Sequence, residues 1–154
     1  MTTKEQFAHA LQASSKAGFP IVLNVMGCCK GCITEKDVQK AYDIQAEQFN
    51  LPAVTFEKNA PNAVWHFGGQ NNRVTFSQSG DAQAVKNEEC ACYEDEYELI
   101  ECSVCKHGPL KVDLENLMLN HPSNEAAQTA ITALSNAGLS ADWDGSRMKC
   151  IAVH

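Results

Sequence analysis

Seven of the eight cysteines in this 154-residue chain fall into three tight groups: Cys28, Cys29 and Cys32; Cys90 and Cys92; Cys102 and Cys105. This is the pattern of a protein that binds metal through thiolates. In a reducing compartment such thiols are not oxidised, which favours metal ligation or redox chemistry over a disulfide framework. Met1 to Gln6 is polar, and the apolar run Ile21 to Met26 is far short of the ~20 residues that cross a bilayer. The expectation is a soluble, cytoplasmic protein with no membrane partner. An apolar content of 44% is enough to bury a core, so metal is not required for the whole chain to fold.

The charge is localised. Glu88 to Glu101 holds seven acids and no lysine or arginine, which accounts for the entire formal charge of -7; the rest of the chain balances. Nucleic-acid binding rests on clustered basic side chains, so an acidic block beside two cysteine pairs argues against a phosphate-binding finger. A zinc ion among four thiolates does not reverse the sign, because the site keeps a charge of about -2.

Thr3 with Gln6 forms a capping-box pattern, and the apolar spacing predicts a helix over 4–16 that Gly18 stops. The β-rich run Ile21 to Val25 predicts a buried strand leading directly into Gly27, Cys28 and Cys29. Thr34 and Asp37 mark a second helix start, and Val38, Ala41, Tyr42, Ala46 and Phe49 recur at helical spacing as far as Asn50. The period then drops to two, predicting strands at Val54 to Glu57, Val64 to Phe67 and Arg73 to Phe76. From Gly80 to Pro122 the chain reads as an inserted acidic, cysteine-rich, zinc-ribbon-like excursion, with Leu114 to Leu119 as a short helix. Ser123 caps a third helix that Gly138 ends, and strands at Leu139 to Trp143 and Met148 to Val153 close on an Asp144-Gly145 turn. The fold class is α+β: one domain over 1–154, with about three helices on a mostly antiparallel sheet and an excursion at 80–122.

Cys102-Ser-Val-Cys105, followed by Gly108, has the spacing of a zinc knuckle, in which two intervening residues let both thiolates face one ion. Cys90 and Cys92 add a second pair across a stretch the length of a short hairpin, so these four thiolates suffice for a closed local site. Cys29-Lys30-Gly31-Cys32 repeats the knuckle spacing, with Cys28 as a third donor or an inward neighbour. A fourth ligand there has to come from elsewhere, and His66 is the leading candidate, against the alternative of a hydrogen-bonded core histidine. Cys150, inside an apolar run, reads as a small buried residue. Two other arrangements compete. Cys29, Cys32, Cys102 and Cys105 could share one ion; or Cys29 and Cys32 form a dithiol redox centre, a reading weakened by the lack of a visible parallel β-α-β pattern.

Cys28-Cys29-Lys30-Gly31-Cys32 behind a strand, the strand Val64-Trp65-His66-Phe67, and Ala137-Gly138-Leu139 with Trp143-Asp144-Gly145-Ser146 resemble a bacterial family of domains of unknown function. The similarity spans about 19–76 and 123–153. It implies the fold and a metal site at the first cysteine group, and it implies no reaction. The chain departs from the family where Gly68, Gly69 and Gln70 replace an acidic pair, and where Cys90 to Cys105 is an addition.

These readings converge on a zinc-binding protein with one or two Zn²⁺ ions on thiolates, metal candidates Cys28, Cys29, Cys32, His66, Cys90, Cys92, Cys102 and Cys105, and a protein partner contacted through the acidic excursion. The alternative is a thiol-active protein using Cys28, Cys29 and Cys32 for redox chemistry or Cu(I) handling. No hydrolase nucleophile motif or phosphate-cradling loop is evident, and the sequence assigns no enzymatic reaction.

Overall fold

Local caps fix the helices. In the computed structural model, which describes residues 3–27, 29–57, 61–68, 73–76, 82–85, 110–111, 117–146 and 148–153, helix α1 spans Thr3–Lys16 and gives way to Gly18 at φ 86°. Helix α2 spans Glu35–Phe49 behind a complete capping box: Thr34 Oγ1 accepts from the Asp37 amide, and the Asp37 carboxylate accepts from the Thr34 amide at 2.8 Å. Asn50, left-handed at φ 54°, ends it. Helix α3 spans Asn124–Asn136, started by Ser123 Oγ, which accepts from the Ala126 amide at 3.1 Å.

Among the described residues there are eight strands in two sheets. They are β1 (Ile21–Val25), β2 (Val64–Phe67), β3 (Arg73–Phe76), β4 (Ala82–Val85), β5 (Leu110–Lys111), β6 (Leu117–Asn120), β7 (Ala141–Asp142) and β8 (Ile151–Val153). The larger sheet has five strands in the order β1-β2-β6-β8-β7, and the smaller has three in the order β3-β4-β5. The β1–β2 pair is parallel and the other three pairings of the large sheet are antiparallel. The fold is therefore α+β with three helices and a mostly antiparallel mixed sheet.

Strand alternation sorts the core onto two faces. Ile21, Leu23, Val64, Leu117, Leu119, Ile151 and Val153 pack with Phe7, Leu11, Ala130 and Leu134 of α1 and α3. Val22 and Val25 pack on the other face with Val38, Ala41 and Tyr42 of α2, and Trp65 leans against them. Helix α2 thus covers the β1–β2 end of its face, while Met118 on β6 is 43% exposed.

Strand β1 is a border strand, yet side chains satisfy the Ile21 amide and carbonyl and the Leu23 amide on its outer edge. Ser14 Oγ accepts from the Ile21 amide at 3.0 Å and donates to Leu11 O. Gln45 Oε1 accepts from the Leu23 amide at 2.8 Å, and Gln45 Nε2 donates to Ile21 O at 2.7 Å. Both residues are buried. Buried peptide groups require partners, and here an amide side chain stands where a neighbouring strand would.

Three sequence expectations are corrected. Val54 to Glu57 is not a strand, because Gln39 satisfies it from the side: Gln39 Nε2 donates to Val54 O and Gln39 Oε1 accepts from the Phe56 amide. The expected helix at Leu114 to Leu119 is instead strand β6 from Leu117, with Leu117 and Leu119 buried and Met118 turned outward, the period of a strand. The main sheet thus takes the chain back inside the bounds read for the excursion. The terminal strands are shorter than the apolar runs suggested, at Ala141–Asp142 and Ile151–Val153.

Tyr42 is fully buried, and its hydroxyl donates to Pro52 O at 2.7 Å with Ser15 Oγ at 3.1 Å. Burial raises its pKa above the ordinary 10.0, partly opposed by the Ser15 hydrogen bond. In the folded state the phenol keeps its proton where the unfolded chain loses it, so its contribution to stability is intact below about pH 10 and falls as the pH rises beyond. Urea midpoints measured on the alkaline side should decline for the wild type. Tyr42→Phe should start about 1 kcal/mol less stable at neutral pH and decline less; parallel curves for the two proteins would refute the assignment.

Candidate functional site

The turn that carries the first cysteine group leaves the carboxyl end of β1, the end at which open α/β units present ligand sites. After Val25 the chain forms one turn of 3-10 helix at Lys30–Cys32, in which the Cys32 amide donates to Cys29 O at 3.1 Å, and then enters α2. This turn brings Cys29 Sγ and Cys32 Sγ to 3.2 Å, with both residues exposed. The separation is longer than the ~2.05 Å of a disulfide bond and shorter than the ~3.8 Å between two sulfurs on a tetrahedral zinc with bonds of about 2.3 Å. A small side-chain rotation would therefore bring the two sulfurs to the separation of two ligands on one ion.

The parallel β1-α2-β2 unit corrects the expectation that no such unit exists. Its two strands are separated by a helix and a long loop, and pairing at that distance leaves no local period to read. The dithiol consequently sits at a strand end ahead of a helix, as redox dithiols commonly do.

His66 is on β2, 2% exposed. Its Nδ1 accepts from the Asn24 amide at 3.1 Å. That bond places the ring proton on Nε2, so ligation through Nε2 would require the proton to move to Nδ1 and the bond from the Asn24 amide to break. Among the described residues, no three of histidine, cysteine, aspartate and glutamate stand together at metal-binding distance, so His66 does not join Cys29 and Cys32 in this arrangement. Cys28, and Cys90, Cys92, Cys102 and Cys105 of the excursion, lie outside the described residues. Strands β4 and β5, both inside the 80–122 bounds, pair with each other, Gln83 opposite Lys111 and Ala84 opposite Leu110.

Several residues that the sequence did not mark organise the region. Asn24 interrupts the apolar run of β1 and adopts φ 59°, the left-handed conformation that asparagine tolerates better than most residues. The strand register shifts there, between Val22 and Val25. The Asn24 amide side chain then pairs with the backbone of Val74, accepting from its N–H at 2.8 Å and donating to its carbonyl, so it joins β1 to β3. Gly68 packs against this bulge: a Cβ at Gly68 would lie 2.8 Å from Asn24 Cα. A polar residue inside an apolar strand was the available signal.

At the other side of the turn, Lys30 Nζ approaches Cys150 Sγ at 3.7 Å, and Cys150 Sγ donates to Asn120 Oδ1 at 3.4 Å. Cys150 is half-buried, in a polar setting. Trp143, which the sequence placed as a core aromatic beside a hairpin turn, packs edge-on to His121 and donates from Nε1 to Ser146 O at 2.9 Å.

Site and fold together define an α+β domain with an exposed dithiol at the end of a parallel strand. Comparison with family models, curated proteins and solved structures returns no match. Among the described residues no helix is long and apolar enough to cross a membrane.

Proposed function

We infer that the chain is a thiolate metal-binding protein with two centres of different character. The excursion cysteines Cys90, Cys92, Cys102 and Cys105 hold a structural Zn²⁺, a reading supported by their spacing and by the pairing of β4 with β5, which sets side by side the chain just before and just after these cysteines. The first group, Cys28, Cys29 and Cys32, is an accessible soft-metal centre, to which His66 would contribute Nε2 only on giving up its bond from the Asn24 amide. The observation that carries this is the pair of exposed sulfurs 3.2 Å apart on a one-turn 3-10 helix. A closed structural site shields its thiolates, whereas an exposed pair leaves positions on the ion for exchange with a partner. The acidic excursion is the surface through which a protein partner would be met.

A second reading is supported by the position of the pair ahead of α2 in a β-α-β unit. Here the two thiols reduce a small disulfide: Cys29 and Cys32 lose two protons and two electrons and become joined, and the disulfide substrate leaves as two thiols.

Elemental analysis of full-length protein purified without added metal should give at least one tightly bound zinc per chain. Cys29→Ser with Cys32→Ser should lower the capacity for added Zn²⁺ or Cu(I) by one ion and leave the excursion's zinc in place. Zinc content below one per chain would defeat the structural-zinc reading, and unchanged capacity in the double variant would defeat the first centre. A disulfide-reducing activity that disappears in the same variant would move the assignment to the second reading.

A further inference from the structure

The sulfurs of Cys29 and Cys32, 3.2 Å apart, stand closer than a tetrahedral ion holds them, since two thiolates on zinc are about 3.8 Å apart. A two-coordinate Cu(I) spreads its sulfurs further, to opposite sides of the metal. The turn favours the close arrangement. Its backbone is closed by the Cys32 amide donating to Cys29 O at 3.1 Å and by the Ile33 amide donating to Lys30 O at 3.4 Å. Ile33 then packs on the cluster of Val22, Val38 and Tyr42, so close over Gly27 that a Cβ there would lie 2.6 Å from Ile33 Cδ1. Thr34 follows at once with its capping box to Asp37. The chain leaving the dithiol is thus anchored, while Cys29 and Cys32 are exposed. The described residues supply these two sulfurs and no third donor grouped with them. A fitting ligand is soft, holds two sulfurs at an angle narrower than tetrahedral, and asks the protein for two donors.

We propose that Cys29 and Cys32 form a binding site for monosubstituted trivalent arsenicals, in which both sulfurs bond to one arsenic that carries a single organic group. This deepens the reading of the first cysteine group as an accessible soft-metal centre, and it rests on that reading. Trivalent arsenic is soft and exchanges oxygen for thiolate sulfur. Its lone pair presses its three bonds into a pyramid, which brings two bound sulfurs closer together than zinc does. Its third bond is already taken by carbon, so the protein need supply no further donor. In the reaction two As–O bonds break and two As–S bonds form, and the two thiol protons leave with the two hydroxyls as water. Arsenic stays trivalent and neither cysteine is oxidised, so no co-reactant is required. The second thiol closes within the complex made by the first, and a turn that already holds both sulfurs close leaves that step little to reorganise. The exposure of both residues leaves room for the organic group on the solvent side.

The test uses the full chain and methylarsonous acid as the probe. At one equivalent the native mass should rise by one probe less two waters, and peptide mapping after alkylation should show Cys29 and Cys32 shielded together. Cys29→Ser and Cys32→Ser should each weaken binding at the turn about a hundredfold or more, because the remaining thiol forms one As–S bond where the pair forms two. A monothiol should strip the probe from the turn in either variant and leave it on the wild type, and a small vicinal dithiol should strip it from all three. First-equivalent binding at other cysteines, or equal affinity in the wild type and both variants, overturns the proposal. Parallel samples with Zn²⁺ and Cu(I) separate this outcome from failure of the reading beneath it. Shielding of Cys29 and Cys32 by either ion but not by the probe overturns the proposal and leaves the soft-metal centre standing. Labelling of both at ligand-free rates under every condition overturns the two together.

Discussion

Gln45→Ala should cost about 2 to 4 kcal/mol of folding stability, because two buried peptide groups of β1 lose their partners at once. The Leu23 amide and the Ile21 carbonyl both bond to this side chain, at 2.8 and 2.7 Å, and the residue is 4% exposed. Each orphaned buried group carries a desolvation penalty of about 1 to 3 kcal/mol, and water entering the space left by truncation recovers part of it. Gln45→Leu separates hydrogen bonding from volume, since it fills the space and excludes that water. The leucine variant should be no more stable than the alanine variant. Urea denaturation supplies both numbers, and a loss below about 1 kcal/mol for Gln45→Ala would show that β1 does not depend on the side-chain seal.

Gly68→Ala should be similarly damaging, at about 2 to 3 kcal/mol, for a steric reason. The added methyl would stand 2.8 Å from Asn24 Cα and 3.1 Å from Asn24 C, and both are backbone atoms that cannot rotate away as a side chain can. Relief requires moving the β1 bulge, and two further contacts resist that movement: the Asn24 amide is bonded to His66 Nδ1 and its side chain to Val74. The variant should therefore lose the tie between β1 and β3 as well as stability, and amide exchange at Val74 should accelerate beyond what the global loss explains. Wild-type exchange at Val74 in a destabilised protein would separate the steric effect from the proposed tie.

What could be read from the sequence was what is encoded within a few residues. Thr34 with Asp37, Ser123 and Gly18 are signals whose partners lie within a turn, and each marks a helix end in the structure. The alternation that identifies β2 is equally local. Pairings across the chain left no such trace. Gln45 bonds to a strand more than twenty residues before it, and in the sequence it is one more polar residue on a helix. The parallel partnership of β1 and β2 is of the same kind, and so is the strand identity of Leu117–Asn120, a short apolar run that suits helix and strand alike until its neighbours are known. At the cysteine turn the close spacing of Cys29 and Cys32 predicted their approach, whereas the meeting of Lys30 with Cys150 spans 120 positions.

The sealed border of β1 also limits how this protein can recruit others. Extended peptides commonly join a sheet by completing the ladder of its outermost strand. At Ile21 and Leu23 that ladder is already engaged: the Ile21 amide and carbonyl and the Leu23 amide are answered from within by Ser14 and Gln45. The Val74 backbone of the smaller sheet is likewise committed to Asn24. The opposite border of the large sheet, β7, offers two residues. Strand addition at Ile21 and Leu23 is therefore opposed, and the same side chains guard against edge-to-edge aggregation at the strand that leads to Cys29 and Cys32. On the proposed function, a partner that takes metal or electrons from Cys29 and Cys32 would read side chains and charge at the turn instead of borrowing the backbone of β1.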